Sequence, residues 1–141
     1  MAGFVAILKL VAFLLWSALL VPVQLLIMLF SGGKPAYAVP HLWHKGVCRI
    51  LGLKAIVEGT PCTDRQVIFI SNHLSYLDIP VIASVLKASF IAKGEVASWP
   101  VFGFLSKLQQ TAFVSRSKST LGNDKNALEY MLKDGRSMIL F

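Results

Sequence analysis

Charge is scarce in this 141-residue sequence, and negative charge is scarcer still. Only 15% of residues are charged, with 7 Asp and Glu against 14 Lys and Arg, while 55% are apolar and the mean hydropathy is +0.66. That balance excludes a soluble domain of ordinary composition and makes a membrane the first suspect. Cysteine is nearly absent. Cys48 and Cys62 belong to no CxxC pair and no Cys/His cluster, so they read as plain thiols, with no disulfide framework and no metal site. No repeat or low-complexity tract occurs, and the length suits one domain rather than two. A run of basic residues interleaved with exposed aromatics is missing as well, which argues against nucleic acid as the partner behind a pI near 9.7.

What the sequence does have is hydrocarbon at its start. From Leu10 to Phe30 only Ser17, Pro22 and Gln24 interrupt an apolar run, and as a helix that run spans roughly 30 Å, about one bilayer core. Ala36-Tyr37-Ala38 has the small-x-small form of a signal-peptide cleavage site, but the run is long for a secretory segment and no Lys or Arg precedes Lys9. The segment is therefore expected to remain as an anchor. Two geometries stay open, one spanning helix or two shorter helices broken at Pro22 and Gln24 that dip into one leaflet. Lys9 and Lys34 are the only cations before residue 40, leaving 12 of the 14 beyond it. Anionic lipid or a phosphorylated substrate is the natural partner of that charge. Lys34, Lys45, Arg49 and Lys54 follow the apolar run, so the positive-inside tendency puts the rest of the chain in the cytoplasm.

After a Gly/Pro turn at Ser31 to Pro35 the pattern changes. Pro40 to Leu53 carries apolar residues at helical spacing and predicts an amphipathic helix resting on the membrane surface through Trp43. Short apolar runs then alternate with helical stretches. Strands are expected at Lys54 to Glu58, Gln66 to Ile70, Ser89 to Ala92, Thr111 to Val114 and Ser137 to Phe141. Helices are expected at Asp78 to Leu86, Trp99 to Leu108 and Asn123 to Asp134, the last ended by Gly135. Val67 to Ile70 reads as a strand buried on both faces. The alternation implies an α/β fold, a mostly parallel sheet flanked by helices behind an amino-terminal membrane anchor. Its chemistry is then expected at the carboxyl ends of the strands. The closing Met138-Ile139-Leu140-Phe141 is a buried-strand sequence with nothing after it, so the fold is expected to be incomplete at its carboxyl end.

One strand end carries the chemistry. Ser71-Asn72-His73-Leu74-Ser75-Tyr76-Leu77-Asp78 follows the second expected strand, with Pro80 two residues on. His73 and Asp78 cannot share a face of a regular helix, where five residues amount to about 140° of rotation. They can meet across a turn if Asp78 is the N-cap of the next helix and Pro80 falls at its second position. A carboxylate-held imidazole has a fixed tautomer and can take a proton from a hydroxyl about to attack an acyl carbonyl. No nucleophilic serine motif accompanies the pair, so the hydroxyl belongs to a substrate. The plainer reading, a capping aspartate beside a loop histidine, stays open on local sequence alone. Lys93 and Arg116 follow two further strands and project onto the same rim, either as a phosphate clamp or as solvated surface cations. Trp99-Pro100-Val101-Phe102-Gly103-Phe104 reads chiefly as core packing, with an acyl slot as the alternative.

These residues resemble the glycerophospholipid acyltransferase family, and within it the 1-acyl-sn-glycerol-3-phosphate (lysophosphatidic acid) acyltransferases, over about residues 66 to 141. Asn72 to Asp78 looks like the family's first block, whose His-x4-Asp pair is catalytic. Ala92-Lys93-Gly94-Glu95, Trp99 to Gly103 and Thr111 to Arg116 resemble its second region, whose closing arginine helps bind the acceptor's phosphate. Ser115 departs from an Asp common in relatives. The third block, a Glu-Gly-Thr-Arg sequence, falls past Phe141, which puts turnover by these 141 residues alone in doubt. The resemblance implies an anchor over residues 1–35 and the amino-terminal portion of an acyltransferase domain over 36–141. It implies acyl transfer from acyl-CoA or acyl carrier protein to lysophosphatidic acid, giving phosphatidic acid. His73 is then the general base, Asp78 its orienting partner, and Arg116 with Lys93 the phosphate clamp. No metal or bound cofactor is implied, and the expected place is the bacterial inner membrane with the site facing the cytoplasm. Alternatives are the same chemistry on glycerol-3-phosphate, another lysophospholipid or a lyso-aminolipid, and a silent anionic-lipid-binding membrane protein.

Overall fold

The computed structural model describes residues 2–31, 34–114, 125, 129 and 131–141. The apolar run forms one uninterrupted helix, α1 (Ala2–Phe30), with Pro22 inside it. The two-helix alternative is thus not adopted. Proline removes a single ladder bond, and the remaining bonds of a 29-residue helix carry the element through it. At 29 residues, α1 is roughly 43 Å long, and it is long and apolar enough to cross a bilayer.

A 3-10 turn (Lys34–Tyr37) reverses the chain into α2 (Ala38–Leu51). Gly52 ends α2 in the left-handed region at φ 81°. Its N–H bonds Arg49 O, and Leu53 N bonds Cys48 O at 2.8 Å, the paired closure that favours glycine there. α2 packs back along α1. Trp16 Nε1 donates to Trp43 O at 3.1 Å, Trp43 Nε1 donates to Ser17 Oγ at 3.0 Å, and Lys9 Nζ caps Leu51 O at 2.9 Å. Gly46 lies where any Cβ would run into the Trp16 indole. Trp43 is therefore an inter-helix contact, edge-on to Phe13.

The sheet has four parallel strands, β1 (Ile68–Ile70), β2 (Ser89–Lys93), β3 (Ala112–Val114) and β4 (Met138–Leu140), in the order β1-β4-β2-β3. β4 runs in register with β1 (Phe69 opposite Ile139) and with β2 (Phe90 opposite Ile139). α3 (Asp78–Val85) connects β1 to β2, and a 3-10 turn (Gly94–Ser98) and α4 (Phe102–Leu108) connect β2 to β3. α3 and α2 cover one face. There Ala83, Ala88, Phe90 and Ile139 form the core, with Phe69, Ile79, Ile82, Leu86 and Phe141 against it. Residues 131–133 are helical and Gly135 stops them at φ 71°, with Gly135 N bonded to Leu132 O and Arg136 N to Met131 O; the start of that expected helix lies outside the described residues.

Two strand expectations fail. Lys54 to Glu58 forms no strand and pairs with none among the described residues, and Ile56 is 80% exposed. Apolar alternation makes a strand only where a partner edge is available to bond the backbone. β1 is not buried on both faces either, since Ile68 and Ile70 are 57% and 81% exposed. The covering helices lie on its other side.

Candidate active site

The order β1-β4-β2-β3 sets the carboxyl ends of β1, β4 and β2 side by side, and that rim is where the motif stands. Ser71 N still bonds Leu140 O at 2.9 Å, after which the chain leaves the sheet. Asn72 Oδ1 takes the N–H of His73 at 3.0 Å, and Ser75 Oγ takes that of Leu77 at 3.2 Å. The loop thereby curls until one oxygen of Asp78 receives three bonds, from His73 Nδ1 (3.0 Å), Leu74 N (2.7 Å) and Ser75 N (2.8 Å).

Asp78 does not act as the N-cap. It is the first residue of α3, Leu77 precedes it without a side-chain cap, and the carboxylate faces back into the loop. Pro80 consequently falls at the third helical position, still within the turn whose N–H groups have no intrahelical partner. The Ser75 and Leu74 amides, and then His73, hold the Asp78 carboxyl below its usual value of 3.8. An ionised Asp78 accepts only, so His73 carries its proton on Nδ1 and leaves the Nε2 lone pair free.

His73 opens into a cleft of about 670 Å³ whose walls are mostly apolar, among them Ile79, Phe90, Ile91, Val96, Trp99 and Phe102. Gln109, Thr111 and Ser106 add polar atoms. The core packing expected of Trp99 to Phe104 is not found. Trp99 is 43% and Phe102 64% exposed, and both line the cleft. The reason is Gly103, whose Cβ position lies 2.5 Å from Ala97 O and 2.9 Å from Val96 O. That approach pins the start of α4 against the preceding turn and turns the large side chains outward.

Lys93 stands at the end of β2 and lines the cleft as expected, but its ammonium is paired with Glu95 at 2.7 Å. Arg116 lies outside the described residues. One contributor escaped sequence reasoning. Phe141, just past β4, stacks on the His73 ring with centroids 4.3 Å apart and planes 23° apart, and is itself stacked on Phe90 at 5.6 Å. Its only signal in the sequence was its place after an apolar strand.

A second polar group ties the cleft to the anchor. Gln24 of α1, 2% exposed, donates to Leu108 O at 2.8 Å and Ala36 O at 3.0 Å. The next residue, Gln109, accepts from His44 Nε2 at 2.8 Å and donates to Thr111 Oγ1 at 3.2 Å. Burial pushes His44 down to about 4, against the opposing effect of its bond to Gln109. The Gln24 residue that looked like a break in the anchor is thus its attachment to the domain.

The family described as Acyltransferase matches residues 52–141. A lyso-ornithine lipid O-acyltransferase of Rhizobium meliloti is 40% identical over 126 residues, covering 89% of this chain and 43% of the relative. That of Brucella abortus is 34% identical over 126 residues, covering 89% and 47%. A 1-acyl-sn-glycerol-3-phosphate acyltransferase of Neisseria meningitidis is 43% identical over 75 residues, covering 52% and 29%. The chain spans less than half the length of these relatives, and no solved structure matches it. A His-x4-Asp turn at the carboxyl rim of a parallel sheet, an apolar amino-terminal helix and a family match over most of the chain agree, and the chain belongs to the glycerophospholipid acyltransferase family.

Proposed function

We propose that the protein transfers an acyl group from a thioester donor, acyl-CoA or acyl carrier protein, to the free hydroxyl of a membrane lysolipid. The observation that carries this reading is the His73–Asp78 pair, 3.0 Å apart at the mouth of an apolar cleft. The acceptor hydroxyl gives its proton to His73 Nε2 as its oxygen attacks the thioester carbonyl. The imidazolium formed faces the Asp78 carboxylate, which stabilises it. The tetrahedral intermediate then collapses by breaking the C–S bond, and the leaving thiolate takes the proton back from His73. This cycle balances without a metal or bound cofactor. The cleft's apolar walls shelter acyl carbon from water, and α1 keeps the site beside the bilayer that holds acceptor and product. We place the site on the cytoplasmic side of the bacterial inner membrane, on the strength of the cations that follow α1.

Two acceptors compete. The motifs Asn72 to Asp78 and Trp99 to Gly103 support lysophosphatidic acid, with Arg116 gripping its phosphate. The relatives matched over 89% of the chain support a lyso-ornithine lipid instead. The Lys93–Glu95 pair favours the second, because an ornithine headgroup offers an amine and a carboxylate to a mixed pair, whereas a phosphate must first displace Glu95. The protein at its full natural length, in membranes with labelled acyl-CoA and each acceptor in turn, tests the choice. Labelled ornithine lipid in excess supports that acceptor, and labelled phosphatidic acid supports the other. Saturable lipid binding without product from any acceptor contradicts acyl transfer.

A further inference from the structure

A second cavity, of about 380 Å³, lies at the opposite edge of the sheet from His73. Its lining comes from residues that precede the strands: Arg65 before β1, Lys87 before β2 and Ser137 before β4, with His41 of α2 on the inner side. Among the described residues no carboxylate lines it. Among the described residues neither Arg65 nor Lys87 has an ion-pair partner. The neighbouring acid, Asp64, accepts from the Cys62 thiol at 3.1 Å.

Two further polar side chains face the same space, Ser137 as a donor and His41 as an acceptor. Ser137 Oγ accepts the Val67 N–H at 3.2 Å, which leaves its own proton to donate. His41 Nδ1 is bonded to Ala83 O at 2.8 Å, so Nε2 is its remaining polar atom. Burial, and after the opposing Ala83 bond the charges of Lys45 and Lys87, hold His41 below its usual value. The cavity's described lining thus carries two cations, Arg65 and Lys87, with the Asp64 carboxylate beside it on Cys62 rather than in ion-pair contact with either. Opposite the polar groups, Phe69, Val85 and Leu86 make an apolar wall.

We propose that this cavity binds the phosphate of a phosphate ester, gripped by Arg65 and Lys87 with the Ser137 hydroxyl as a third donor. Guanidinium and ammonium together suit a tetrahedral oxyanion, the first as a fork and the second as a point charge. A volume in the range of ligand pockets exceeds that of bare phosphate. The apolar wall fits the carbon portion of an ester. The ester is a phospholipid headgroup or a soluble phosphate ester, and the site is separate from the His73 cleft and does not depend on the acyl-transfer reading.

The test is calorimetric titration of the detergent-solubilised protein at its full natural length and fixed ionic strength, with inorganic phosphate, glycerol-3-phosphate and short-chain phosphatidic acid as probes. Saturable binding is expected, weakened about tenfold or more by Lys87→Gln and further by Arg65→Gln/Lys87→Gln, as befits loss of charged hydrogen bonds. His73→Ala and Lys93→Gln are expected to leave it unchanged. Both cavity substitutions fall on exposed side chains, and unchanged circular dichroism shows that each variant is folded. Tighter binding of phosphatidic acid than of glycerol-3-phosphate supports the site with a lipid headgroup as its ligand, and equal binding supports it with a soluble ester. The proposal is overturned if no probe saturates, if Arg65→Gln/Lys87→Gln binds as the parent does, or if Lys93→Gln abolishes binding and so places the phosphate in the catalytic cleft.

Discussion

The phenyl ring of Phe141 lies stacked against the imidazole of His73, centroids 4.3 Å apart, across 68 residues of sequence. The contact limits the ring to one plane while Asp78 fixes its tautomer. Phe141→Ala is expected to lower kcat about tenfold, the scale of an aromatic pair, with KM for the donor little changed. Phe141→Tyr keeps the stack and is expected to retain most activity. Steady-state thiol release from acyl-CoA reads both.

Asp78→Asn tests the tautomer. An amide nitrogen donates to Nδ1 as readily as its oxygen accepts, so the Nε2 lone pair is no longer assured, and Leu74 and Ser75 keep only a neutral acceptor. Loss of activity on the order of 10³-fold is expected, within the span of general-base contributions. The depressed Asp78 carboxyl also has a pH signature. Its stabilising contribution is present above its usual value of 3.8 and is lost as pH falls below that. Above about pH 5 that contribution is constant, so Asp78→Asn is expected to leave the slope of Tm against pH there as in the parent, which thermal melts in detergent check.

His44 supplies the same sign in a higher pH window. Between its usual 6.5 and the buried value of about 4, the unfolded chain binds a proton that the folded chain does not, so stability falls as pH drops through that window and falls no further below it. The full effect is on the order of 3 kcal/mol. His44→Gln, which keeps a donor for Gln109, is expected to flatten this part of the dependence of Tm on pH in detergent.

The anchor's attachment is open to a similar test. Gln24→Leu leaves the carbonyls of Leu108 and Ala36 buried without their donor, at a cost of about 2 kcal/mol. Gly46→Ala drives a methyl group into Trp16. Both are expected to raise proteolysis of the α1–α2 turn while the protein stays with the membrane, as limited proteolysis followed by membrane sedimentation reports.

How much of this could be read beforehand follows sequence distance. The His73–Asp78 turn was legible because its determinants, Asn72, Ser75 and Asp78, lie within seven residues. The parallel strands were legible because each is a short apolar run after a helix. Asp78's place inside α3 rather than at its cap was not, since both placements bring the carboxylate near His73. Long-range partners left no local mark. Gln24 meets Leu108 across 84 residues, and a polar residue in an apolar run reads as an interruption until its acceptor is seen. Lys54 to Glu58 has a strand's pattern but no partner edge among the described residues, and Trp99 and Phe102 are turned outward by the close approach at Gly103, neither of which composition reveals.

The most direct measurement is thiol release from acyl-CoA by membranes containing the protein at its full natural length, with lysolipid present or absent, compared with His73→Ala at equal expression. The account predicts release that requires acceptor and falls at least about 10³-fold in the variant, with thermal stability preserved. Acceptor-dependent release that survives in His73→Ala would contradict it, because the proton would then be taken by a group other than the imidazole that Asp78 holds.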